Sequence, residues 1–333
     1  PDAMKKIVFA DVALIGSLTV NAQDGGTKLS ISGTVDVYGT INSVDDSGAP
    51  GLLIANPEKA NGFGLGMANT VLSYDQAKSG VVADIAFGPR ADDANMAGAI
   101  NQLYAYYNLS EKTTITAGQF NTFLGYEVIS PSANFNYSVS YLFNAGPFSH
   151  TGIKLDYAAS EDLSFLLAVT NAHAIPSSSA NDSGATQYGA QVGYKGQHLN
   201  FIYGSVAETS ASDALFLDYT GGFNLFDSFF MGINAAYAYS EDDEAGYQGV
   251  ALFLENSFSD TFALGLRPEL FSLTSADESE DVLALTLTAS SRLDENLRLV
   301  MELRYDSSDD YIIEGIAAEK TATVLTIAAV YSF

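Results

Sequence analysis

The chain has 333 residues, no Cys and no Trp, with 40 acidic against 14 basic residues for a formal net charge of −26. Hydrophobic residues make up 47%, including 19 Tyr and 20 Phe, which excludes a disordered acidic chain, and the acidity leaves no basic face for nucleic acid. With no Cys there are no disulfides, thiolate metal sites or Cys nucleophiles, and the charged fraction of 16% lies below the roughly 25% of soluble domains.

Met4, Lys5 and Lys6 make a short basic start, and Ile7 to Val20 is mostly apolar apart from Asp11. Val20-Asn21-Ala22 then places small residues where a signal peptidase reads, so residues 4–22 read as an export leader and 23–333 as the mature domain. An ordinary N-terminal helix or strand is the alternative. The apolar run is too short for a membrane-spanning helix, which needs about 20 residues, and no later stretch is long enough. Removing the leader takes away Lys5, Lys6 and Asp11, so the mature chain stays strongly acidic.

After residue 28 the dominant signal is alternation with period 2, which puts one residue class on each face of a strand. Leu29, Ile31, Val35, Val37 and Ile41 share one face, while Ser30, Ser32, Thr34, Asp36, Tyr38 and Thr40 share the other. Leu103, Ala105, Tyr107 and Leu109 oppose Gln102, Tyr104, Tyr106 and Asn108 in the same way. Strands are expected at 29–41, 63–75, 81–88, 101–109, 113–120, 151–159, 163–171 and 186–194. Further strands are expected at 199–206, 214–225, 229–239, 247–256, 261–271, 282–292, 297–305 and 322–333. No long helical period appears. Short links, such as Asp227-Ser228, separate alternate pairs; longer ones, such as Asn42 to Gly62, Asn121 to His150, Ala172 to Ala185 and Asp306 to Thr321, lie between them.

Sixteen strands with short turns on one rim and long loops on the other predict an all-β fold: a closed antiparallel transmembrane β-barrel with short periplasmic turns and long extracellular loops. In hydrocarbon every backbone N–H and C=O needs an internal partner, so strands cross a membrane only as a closed barrel. Sixteen strands leave a water-filled bore. A soluble β-sandwich also alternates, but it has no reason to alternate its connection lengths or to end on an aromatic residue. Here the chain stops at Val330-Tyr331-Ser332-Phe333, like the signal read by barrel-assembly machinery.

Ala117-Gly-Gln-Phe-Asn-Thr-Phe-Leu-Gly-Tyr-Glu-Val128, Asn134-Phe-Asn-Tyr-Ser138 and Gly146-Pro-Phe-Ser-His-Thr-Gly152 resemble the OmpL-like family of β-barrel porins. Ile31-Ser-Gly-Thr-Val-Asp36 and the later strand spacing extend the resemblance loosely along the chain. It implies an outer-membrane channel of a Gram-negative bacterium, without naming a substrate. Gln119 stands where such proteins often carry a basic residue, so no positive charge is carried over to it.

With apolar residues toward lipid, the alternation assigns Asp36, Asp84, Lys154, Asp156, Arg267, Glu269, Arg298, Glu302 and Arg304 to the pore wall. Arg267, Arg298 and Arg304 would then form a basic patch facing the acids, setting up a transverse field. Each charge could equally be solvated or paired with a neighbour. The link from Asn121 to His150 is too aromatic for a water-exposed loop, and is expected to fold inward as a constriction with Glu127, Tyr126, Tyr137 and Tyr141. Packing on other loops or on a second subunit is the alternative. Acidic runs at Asp45-Asp46, Asp92-Asp93, Glu241 to Glu244, Asp277 to Asp281 and Asp309-Asp310 read as a solvated rim, or as a mouth that enriches cations or bridges to lipid through divalent ions.

Catalysis has no support. His150, His173 and His198 are the only histidines and no spacing assembles a triad, and Gly62, Gly64 and Gly66 precede no helix and make no phosphate loop. No catalytic residue, metal or cofactor is expected. The expected function is passive diffusion of small hydrophilic solutes or ions. The alternative is a plugged barrel acting as a surface binding or structural protein. Expected partners are outer-membrane lipid, the barrel-assembly machinery through Phe333 and, by analogy with sixteen-stranded porins, two further copies in a homotrimer.

Overall fold

A computed structural model describes residues 18–20, 28–43, 61–95, 98–172, 184–206, 212–276, 279–308 and 320–333. The strands in chain order are β1 (Leu18–Val20), β2 (Lys28–Asn42), β3 (Gly62–Asp75), β4 (Ser79–Phe87), β5 (Ile100–Ser110), β6 (Thr113–Asn121), β7 (Ser149–Ala158), β8 (Leu163–Asn171) and β9 (Thr186–Tyr194). They continue with β10 (Gln197–Ser205), β11 (Asp213–Phe226), β12 (Phe229–Ser240), β13 (Ala245–Ser259), β14 (Phe262–Thr274), β15 (Ser279–Arg292), β16 (Leu297–Ser308) and β17 (Thr321–Ser332). Each pairs antiparallel with the next from β2 onward, and β17 closes on β2 with Val324 opposite Asn42 and Ser332 opposite Thr34. The result is a closed sixteen-stranded barrel, so its strands leave no open edge in hydrocarbon.

The sixteen strands agree with the sequence expectation to within a few residues at either end. Below the reach of β17, the edge of β2 is taken by β1, which pairs Leu18 with Ile31 and Val20 with Leu29. This short strand falls inside the stretch read as the leader. Phe333 exchanges both backbone hydrogen bonds with Gly33 at 3.0 Å, so the terminal residue closes the seam.

Outward side chains form the band that lipid requires. Leu65, Leu72, Leu103, Ile153, Leu167, Val169, Leu199, Leu270, Leu287, Met301 and Ile327 are exposed, while the alternate positions are buried. On β3 the outward Phe63 and Tyr74 lie roughly 28 Å apart along the membrane normal, at about 3.3 Å per residue and about 40° tilt, close to the height of the apolar band.

One rim carries only tight turns. At 293–296, Asp294 accepts from the backbone N–H groups of Asn296 at 2.8 Å and Leu297 at 2.7 Å, and these bonds hold its carboxyl below the usual carboxylate range. The opposite rim is less uniform than expected: the 241–244 and 275–278 links are as short as turns, because β12 to β15 extend further out. The loop centres 44–60, 173–183 and 309–319, and with them His173 and the acidic runs at 45–46, 277–278 and 309–310, lie outside the described residues.

Two short helices, α1 (Pro89–Ala94) and α2 (Tyr141–Ala145), interrupt the strand pattern. Neither is long enough to show a helical period in sequence. Both belong to loop-rim connections that turn inward.

Candidate functional site

The 122–148 connection leaves β6, packs on inward-facing residues around much of the barrel, and returns to β7. Tyr126 stacks on Phe253 of β13, with centroids 4.2 Å apart. The Gly125 N–H donates to Asp218 of β11 at 3.0 Å, and Asn136 donates to Thr288 of β15 at 2.6 Å. The Tyr137 hydroxyl donates to Asp36 of β2 at 2.5 Å, while the other oxygen of Asp36 accepts from the Met67 N–H. Inward glycines make seats for the rings. A Cβ on Gly232 would overlap Tyr126, and one on Gly265 would overlap Phe135.

Residues 137–142 run through the barrel without joining a ladder, and their backbone must therefore be satisfied by side chains. Arginines take the carbonyls. Arg90 donates to Tyr137 O at 3.0 Å, Arg267 to Ser138 O at 2.6 Å and Val139 O at 3.1 Å, and Arg304 to Val139 O at 2.7 Å. Glutamates take the amides. Glu302 accepts from Tyr137 at 2.9 Å and Ser138 at 3.1 Å, Glu127 from Ser140 at 2.9 Å, and Glu269 from Tyr141 at 3.0 Å and Leu142 at 2.9 Å. Glu269 thus occupies amides that the first turn of α2 leaves without an internal partner. Ser140 caps that helix by accepting from the Phe143 N–H, and its own hydroxyl donates to Glu127. Nearer the short-turn rim, Arg298 holds the carbonyls of Pro131 and Asn134 at 2.5 and 2.8 Å.

Arg267 also pairs with Glu127 at 2.7 Å, with both side chains almost fully buried, and Arg304 pairs with Asp306 at 2.9 Å. The arginines on β14 and β16 therefore direct hydrogen bonds to the inserted segment, Arg267 to Glu127 within it and Arg304 also to Asp306 on its own strand. Buried ions are tolerated only when such ion pairs and hydrogen bonds offset their lost hydration.

Asp84 and Asp218 differ. Asp84 accepts from Asn69 at 2.8 Å and Asn101 at 2.5 Å; Asp218 accepts from Asn200 at 2.6 Å and Asn234 at 2.5 Å. In both cases the amides come from the two flanking strands. Among the described residues no lysine or arginine pairs with either carboxylate. Lys154 and Asp156, on β7, pair at 2.8 Å and keep side-chain exposures of 22% and 38%, far more than the clamp residues.

Sequence reading placed Asp36, Asp84, Lys154, Asp156, Arg267, Glu269, Arg298, Glu302 and Arg304 on one face, and the structure puts all of them inside. Asp36, Arg267, Glu269, Arg298, Glu302 and Arg304 meet the segment that carries Glu127, Tyr126, Tyr137 and Tyr141, whereas Lys154 and Asp156 pair with each other. Asp218 and Asp306 were missed. The alternation of Leu217 and Tyr219 signals the first, and the second lies one residue past the expected strand end. Arg90 was missed as well. Its six-residue helix packs on Met67 and Ala86 of the wall, its guanidinium lies 4.8 Å from the Tyr137 ring centroid, and nothing in a short loop announces that. His150 is buried at the root of the segment, 3.0 Å from the Thr122 hydroxyl and tilted against the Phe123 ring, with centroids 4.9 Å apart. Among the described residues no group of His, Asp and Glu is arranged to hold a metal ion.

The sequence pattern of the family described as "Putative beta-barrel porin-2, OmpL-like" matches residues 28–333. No curated protein matches the chain. Among solved structures, the anion-selective porin from Comamonas acidovorans superposes with a TM-score of 0.64 at 11% identity, covering 92% of this chain and 100% of that one. The outer membrane channel DcaP of Acinetobacter baumannii gives 0.62 at 12%, covering 92% and 98%. The trimer form of OmpT from Vibrio cholerae gives 0.58 at 12%, covering 93% and 100%. At such identities these likenesses speak for the barrel architecture alone.

Proposed function

The chain belongs to the OmpL-like family of β-barrel porins, and from that premise we propose that its bore is narrowed by the 122–148 segment and prefers cations. The protein is an outer-membrane porin, a channel and not an enzyme, through which small hydrophilic solutes diffuse passively. The constriction reading is carried by the clamp on residues 137–142: a surface loop has no use for buried arginines and glutamates reading its backbone. The ion preference is supported by Asp84 and Asp218. Each accepts hydrogen bonds from flanking amides and, among the described residues, pairs with no lysine or arginine, so negative charge there adds to the acidic mouth in attracting mobile cations. Removal of residues 4–22 on export and assembly as a homotrimer complete this reading; the OmpT trimer is the analogy for the latter.

Planar-bilayer recording of the full chain and of a variant lacking residues 125–143 tests it. The intact protein is expected to give a steady open channel whose zero-current potential in a KCl gradient has the sign of potassium preference. The deletion is expected to raise unit conductance at least about twofold, because conductance follows the open cross-section of the narrowest section. Equal conductance would defeat the constriction, chloride preference would defeat the cation reading, and a silent membrane would favour a plugged barrel.

A further inference from the structure

We propose that the short-turn mouth of the bore carries a flat aromatic platform, Tyr106 with Tyr104 beside it, that binds solutes bearing a quaternary ammonium group. The proposal rests on the cation-preferring bore argued above and names the class of solute it would favour. On β5 the inner face presents Gln102, Tyr104, Tyr106 and Asn108, while Leu103, Tyr107 and Leu109 are exposed toward lipid.

Tyr106 does not stand out from the wall. A Cβ on Gly80, its partner across the β4 ladder, would overlap the ring. Its hydroxyl donates to Asp75 Oδ1 at 2.6 Å, one strand further on. Pinned at both ends, the ring lies over Gly80 and stays half-buried, so part of it remains accessible from the bore. Little side-chain freedom remains to be lost when a solute settles on it.

The face of an aromatic ring is its negative pole, and a hydroxyl that donates to a carboxylate leaves the ring richer in charge. A methylated ammonium is weakly hydrated and gains from such a face, whereas a potassium ion keeps its water. Lys28 lies opposite Asp75 and Lys78 in the adjoining turn at the rim, while Lys154 is in the same row as Tyr106 two strands away, with Thr116 between them. The Lys154 ammonium is turned to Asp156 at 2.8 Å and lies over the Phe120 ring, so it is neutralised rather than directed at the platform.

Choline and its uncharged isostere 3,3-dimethyl-1-butanol test the platform during single-channel recording of the intact protein in KCl. Choline added on the short-turn side is expected to lower the current saturably, and the isostere to leave it unchanged. Tyr106→Leu is expected to weaken the apparent affinity for choline roughly two- to fivefold, the range of an exposed cation–π contact. Tyr106→Phe keeps the ring and should bind more tightly than Tyr106→Leu. Equal effects of choline and isostere on the unmodified protein would overturn the platform, as would identical choline affinity in Tyr106→Leu. The first comparison needs no variant to fold. A channel that favours chloride, or no channel at all, would instead overturn the underlying reading of the bore.

Discussion

Arg267→Met is expected to loosen the inserted segment, raise single-channel conductance and destabilise the barrel by about 3–5 kcal/mol, the usual result of breaking a buried ion pair from one side. Arg267 is fully buried and serves Glu127, Ser138 and Val139 together. Without it the Glu127 carboxylate stays enclosed with no countercharge, and the Ser138 carbonyl loses its donor. The segment can escape that penalty only by moving Glu127 toward water, which means leaving the wall. Pairing Arg267→Met with Glu127→Met removes both charges and should recover part of the stability, since an apolar pair of similar volume is often tolerated where a half-broken ion pair is not. The Ser140 amide and hydroxyl would still lack their acceptor, so recovery stays incomplete. Heat-induced mobility shifts report the stability and bilayer recording the conductance. A single variant with unchanged values in both would mean that the clamp does not hold the segment.

Leu287→Arg is the second large effect, and it acts through the outer face. Leu287 is 50% exposed, and its ladder partners Leu266 and Leu303 face outward beside it. An arginine near the middle of the apolar band costs about 2–4 kcal/mol. The fraction of folded, membrane-inserted protein, read as the heat-modifiable band, should therefore fall sharply. Leu287→Phe, which keeps the surface apolar, should insert like the unmodified chain. Equal insertion of the arginine variant would show that this face is not in contact with lipid.

The barrel was legible because its physics repeats every two residues. Leu283, Leu285 and Leu287 against Ala284, Thr286 and Thr288 cannot be turned over without putting hydroxyls in hydrocarbon, so the register follows from composition alone. The same rule sent the charges of β14 and β16 inward. What those charges bind was not legible. Arg267 and Glu127 are far apart in sequence, and no period links them. The rings of 122–148 announced a buried loop, but the small inward seats at Gly232 and Gly265 that receive them look in sequence like ordinary strand glycines. Arg90 lies on one short helix turn in a loop, where no pattern distinguishes a buried guanidinium from a solvated one.

The crossing of the bore by the 122–148 segment can be measured directly, because the chain contains no Cys to interfere. The Thr34 hydroxyl on β2 donates to the Ser132 hydroxyl at 3.0 Å, so cysteines at these two positions bring their sulfurs next to each other. In the folded, membrane-embedded protein carrying Thr34→Cys and Ser132→Cys, mild oxidation is expected to close that cross-link in nearly every molecule. Two thiols that stay reduced, and that both react with a membrane-impermeant maleimide added outside, would contradict the account.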